Sequence, residues 1–121
     1  MNKHDLEERL IKFAVLIVEI VGSMTNDKAA NHLAGQLLRS GTSPALNYGE
    51  AQSAESRRDF IHKIKIVLKE LRESNICLDI IYRSKLYNAK DKILLGLGES
   101  NELIAIFVKS VETSQKNSQK Q

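Results

Sequence analysis

The stretch Arg58 to Tyr82, RDFIHKIKIVLKELRESNICLDIIY, decides the fold. Phe60, Ile64, Val67, Leu71, Ser74, Leu78 and Ile81 follow one another at steps of four and three. That spacing keeps one stripe on one side of an α-helix. Ile61, Leu68 and Tyr82 run beside the stripe and widen it. So broad an apolar face belongs to a helix packed against several others, not to a two-stranded zipper. On the opposite side stand Arg58, His62, Lys65, Lys69 and Arg72, again at four-three spacing. The segment is therefore a long helix with one greasy side and one positive side.

Working outward, the preceding residues Ser53-Ala54-Glu55-Ser56 form a tight corner in which Ser53 or Ser56 caps the helix. Before the corner, the stripe Ala34, Leu37, Gly41, Pro44, Tyr48, Ala51 keeps helical phase across a proline. A loop at that point would keep phase only by chance. The pattern predicts one continuous helix over 26–52, kinked at Gly41 and Pro44, with Ser40, Thr42 and Ser43 near the freed backbone groups. Thr25 or Asn26 is expected to cap it. The first helix spans 3–22 with the stripe Leu6, Leu10, Phe13, Ile17, Ile20. From Phe13 to Val18 it is apolar all round, so Phe13, Val15, Leu16 and Val18 are candidates for a subunit interface.

Beyond the central helix, Tyr87-Asn88-Ala89 turns the chain. A fourth helix is expected over 90–114, with Ile93, Leu97, Ser100, Ile104, Phe107 and Val111 in register. The polar residues 115–121 read as a disordered tail. Four amphipathic helices with short loops give an all-α, antiparallel up-and-down four-helix bundle as one domain over 1–114.

Composition agrees. Among 121 residues there are one proline, no tryptophan and six glycines, too few turn formers for a strand-rich fold. The net charge of +3 permits a polyanionic partner without demanding one. The single cysteine, Cys77, cannot close an internal disulfide and reads as a buried small residue in a reducing, cytoplasmic setting. The apolar run 13–18 ends at Glu19 and is too short to span a bilayer.

Chemistry is sparse. There is no phosphate-cradling loop, no HExxH and no cysteine cluster. A di-iron bundle needs two Glu-x-x-His pairs, and the nearest match is the single pair Asp59 and His62. No cofactor, metal or enzymatic activity is expected. Asp59–Lys63 and Lys69–Glu73 read as surface helix pairs. Arg39, Asn47, Glu50 and Glu70 sit at stripe edges, where they can bridge helices. The row Arg58, His62, Lys65, Lys69, Arg72 is either a solvated face or a track for a phosphate backbone. Glu70 and Glu73 lie close to it and count against the second reading.

Four blocks carry a resemblance. They are Ser40-Gly41-Thr42-Ser43, then Ala45-Leu46-Asn47-Tyr48-Gly49-Glu50-Ala51, then Asp59-Phe60-Ile61-His62-Lys63, then Leu68-Lys69-Glu70 with Arg72-Glu73. In order and spacing they resemble the four helix bundle protein family, also called the 23S rRNA-intervening-sequence protein or S23 ribosomal protein family. The resemblance covers nearly the whole chain. It implies a homo-oligomer, with a pentamer favoured, and RNA or a ribonucleoprotein as partner. Relatives include the accessory variability protein of diversity-generating retroelements. That likeness implies the alternative: an adaptor that scaffolds a partner enzyme such as a reverse transcriptase. The chain departs from the family pattern at Asn75-Ile76-Cys77, where aromatic residues are common.

Overall fold

The computed structural model describes residues 1–119. It contains four helices: α1 Lys3–Gly22, α2 Lys28–Gln52, α3 Arg57–Ser84 and α4 Lys90–Gln119. Each packs on its neighbours in the chain, α1 meets α4 along a sparser seam, and among the described residues the backbones of the diagonal pairs stay apart, so that only core side chains meet across the diagonal. This is the up-and-down bundle that the four apolar stripes require.

Side-chain caps set where the helices start. Asn2 accepts the Asp5 N–H at 2.9 Å, Asp27 accepts that of Ala30 at 2.9 Å, and Ser56 accepts that of Asp59 at 3.0 Å. The cap of α2 is thus Asp27, not Thr25 or Asn26, and the helix begins at Lys28. Thr25 instead donates its hydroxyl to the Asp27 carboxylate at 3.0 Å. The Ala30 N–H and the Thr25 hydroxyl together hold that carboxyl below its usual range. α3 ends at Lys85, which is left-handed with φ 57°. The Leu86 N–H then reaches back to the Ile81 carbonyl at 3.2 Å, closing the terminal turn.

α2 runs unbroken through Pro44. Thr42 donates its hydroxyl to the Leu38 carbonyl at 2.7 Å, and Asn47 donates to the Ser43 carbonyl at 3.0 Å. α4 continues to Gln119, past the expected end at Ser114. Its last residues include Gln and Lys, which extend a helix already nucleated at little cost. The final two residues of the expected tail, 120–121, lie outside the described residues.

The stripe of α1 is buried in full: Leu6, Leu10, Phe13, Ile17 and Ile20. In α3, all of the predicted stripe from Ile64 onward is buried, and Phe60 is half-buried. α4 is rotated slightly from its expected phase, with Gly96 and Leu103 inside and Leu97 and Ile104 half-buried. Gly96 faces Leu78 of α3 and Ile20 of α1, and its lack of a side chain draws that part of the helix inward. Phe107 meets Tyr48 edge-on, with ring centroids 5.6 Å apart. Such pairs add about 0.5–1.5 kcal/mol beyond area burial.

Candidate nucleic-acid interface

The buried face of α3 dictates what its other side does. With Ile64, Val67, Leu71, Ser74 and Leu78 inside, Arg58, His62, Lys65, Lys69 and Arg72 all come out exposed in one row. At 1.5 Å of rise per residue the row is about 21 Å long. Among the described residues none of the five is in an ion pair.

The nearby acids are engaged elsewhere. Arg39 of α2 donates to Glu70 at 3.0 Å and also to Glu73, and these acids raise the already high pKa of its guanidinium. Glu70 itself is almost fully buried. Lys63 turns to Glu50 of α2 at 3.4 Å. So the expected pairs Asp59–Lys63 and Lys69–Glu73 do not form. Lys63 and Glu73 pair with Glu50 and Arg39 of α2 instead. The bridging role expected for Arg39, Glu50 and Glu70 is what the structure shows. Asn47 stays within α2, donating to the Ser43 carbonyl and hydroxyl.

The row consists of exposed basic side chains on the outer side of one helix. Such groups follow phosphates and carry little base discrimination. Base stacking would need aromatic faces. Tyr82 and Tyr87 do stack, with centroids 6.0 Å apart, but at the far end of α3.

The candidate interface residues of α1 divide. Phe13 is 1% exposed and belongs to the subunit's own core, since it lies on the α1 stripe. Leu16 is half-buried on the α4 side, where it lines a groove of about 610 Å³ with Leu94, Leu95 and Gly98. Lys12, Glu99 and Glu102 rim that groove, and Arg9 holds both acids, at 2.6 Å and 3.0 Å. Val15 and Val18 face outward, joined by Ile11 and by Leu46 of α2 around a groove of about 300 Å³. The sequence reading missed Leu46. Its signal was a leucine out of phase with Pro44, Tyr48 and Ala51, hence pointing away from the core. The reading also missed Ile76 and Ile80, which prolong the outer row of α3 as apolar residues.

Among the described residues no group of His, Cys, Asp or Glu could hold a metal ion, and no helix is long and apolar enough to cross a membrane. Cys77 is buried, and that burial pushes its thiol up to about 11.

Comparison with known proteins fits this architecture. The model of the 23S rRNA-intervening sequence protein family matches residues 2–109. The chain belongs to that family. A crystal structure of a protein of unknown function from the S23 ribosomal protein family of Bacteroides thetaiotaomicron VPI-5482 is 29% identical, with a TM-score of 0.82. The likeness covers 93% of this chain and 99% of that one. No curated protein matches the chain. In this chain Gly41 lets α2 close on Ile17 of α1, Tyr48 meets Phe107 of α4, and Arg39 ties α2 to Glu70 of α3.

Proposed function

We propose that this member of the 23S rRNA-intervening sequence protein family is a non-enzymatic homo-oligomer, a pentamer being favoured, that docks on RNA phosphates through the outer row of α3. One observation carries the reading. Among the described residues Arg58, Lys65, Lys69 and Arg72 stand exposed, in register and without an ion-pair partner, while Glu70 and Glu73 are held by Arg39. An oligomer repeats the row on every subunit, so weak contacts combine when one RNA reaches several copies.

The test is Lys65→Glu with Lys69→Glu, measured on structured and single-stranded RNA over a range of salt. Both side chains are exposed, so folding and assembly should survive. Wild-type affinity should fall with salt at a logarithmic slope of about −0.9 per phosphate on a duplex and about −0.7 on a single strand. The double variant should bind more weakly and with a flatter slope. Unchanged affinity with intact assembly would reduce the row to a solvated face and favour the adaptor reading.

A further inference from the structure

The subunit carries exposed apolar patches on opposite sides. One is Ile11, Val15 and Val18 of α1 with Leu46 of α2, at 42%, 52%, 52% and 68% exposed. A second is Ile76 and Ile80 of α3, at 62% and 44%. α1 and α3 are diagonal in the bundle, so neither patch can cover the other within one chain. A two-fold contact uses the same patch on both subunits. It would cover α1 with α1, or α3 with α3, and leave the opposite one of these two patches in water.

Charge gives the pairing a direction. From its N-terminal end the outer row of α1 reads Glu8, Ile11, Val15, Val18. The outer row of α3 reads Lys69, Arg72, Ile76, Ile80. Both run from charged to apolar, with opposite sign. Among the described residues Glu8, Lys69 and Arg72 make no ion pair. Laid parallel, Ile11 and Val15 meet Ile76 and Ile80 while Glu8 comes beside Arg72. The antiparallel arrangement sets Val18 against Arg72 and offers Glu8 only Arg83, which Asp79 already holds at 3.0 Å. In an up-and-down bundle α1 and α3 point the same way. A parallel contact between copies is what rotation about an axis along the bundle produces.

We propose that α1 of each copy docks in parallel on α3 of the next copy, head to tail, with Glu8 paired to Arg72, so that the contacts close a ring. This rests on the homo-oligomer reading above and adds which faces meet. It also divides the basic row: Arg72 serves the neighbouring copy, and Arg58, Lys65 and Lys69 remain for a polyanion.

The experiment is a complementation by light scattering with V15E and I76E. V15E spoils the α1 face and keeps α3; I76E does the reverse. Each variant alone should run as a monomer. Mixed in equal amounts, they have one intact α1 face and one intact α3 face between them, and should form a dimer of twice the subunit mass and no ring. Retention of the wild-type mass by either variant, or a mixture that stays monomeric, overturns the pairing. A wild-type protein that is itself a monomer at tens of micromolar overturns the oligomer reading as well. If a glutamate unfolds the subunit, Val15→Ser and Ile76→Ser read the same outcomes.

Discussion

Ile17 of α1 lies against the bare backbone of Gly41 in α2: a methyl group added at Gly41 would stand 2.6 Å from Ile17 Cγ1 and 2.7 Å from its Cγ2. Ile17 is fully buried and β-branched, so it has little room to rotate away. Gly41→Ala should therefore destabilise the fold by about 1–3 kcal/mol, the usual cost of overpacking. Gly35, in the same helix, has nothing within 4 Å of such a methyl. Gly35→Ala should stabilise by up to about 1 kcal/mol through helix propensity. Urea denaturation of the two variants separates the effects. Equal midpoints would refute the close approach.

The Ser74 hydroxyl donates to the Glu70 carbonyl at 2.9 Å and lies 3.0 Å from the Ser40 hydroxyl, both residues being fully buried. Ser74→Ala leaves the Ser40 hydroxyl with only a 3.5 Å contact to the Leu37 carbonyl. The expected cost is roughly 1–3 kcal/mol, that of a buried polar group losing its partner. Removing both hydroxyls should cost less than the sum of the single changes. Additive losses in a double-mutant cycle would show that the two groups do not interact.

Lys85 holds φ at 57°, where a side chain crowds the carbonyl and glycine does not. Lys85→Gly should raise stability by roughly 0.5–1 kcal/mol, visible as a later urea midpoint. A drop would mean that the lysine side chain contributes more than its backbone costs.

Cys77 gives a pH dependence. Burial chiefly, with the Glu73 charge adding to it and Arg39 opposing, raises its thiol from 9.0 to about 11. The folded state then keeps a proton that the unfolded chain releases. Stability from this group is complete below pH 9, declines as pH rises above 9, and is gone once pH passes about 11. Cys77→Ala should lose that share of the alkaline decline while tyrosine and lysine titrations continue. In the folded protein at pH 8, iodoacetamide should modify the thiol far more slowly than after unfolding. Equal alkylation rates would contradict the burial.

Periodicity made the bundle legible because each stripe reports burial directly. The α1 stripe came out buried residue for residue, and the α3 stripe did so from Ile64 onward. Continuity through Pro44 was legible for the same reason: phase survives only in an unbroken helix. Charge pairing was not legible. Lys63 and Glu73 each have a partner four residues away in sequence, yet both pair with α2. A one-dimensional pattern cannot weigh a neighbour on another helix. Phe13 shows a second limit. An all-round apolar segment says that more than one side is covered, but not which residue faces the core. The outer row of α3 was visible as a row. That it stands free of Glu70 and Glu73 became visible only with Arg39 in place.

The sparse seam between α1 and α4 has a kinetic side. The other three helix contacts join elements adjacent in the chain, whereas this one must bring together residues as distant as Arg9 and Glu99. Closing a long loop is entropically costly and tends to come late in folding. Hydrogen exchange should find amides of α1 opening at lower free energy than those of the α2–α3 pair. The least anchored helix is also the one that bears Val15 and Val18. Under the pairing proposed above, contact with another copy would add to the hold on this helix, so the stability of the native subunit would rise with its concentration.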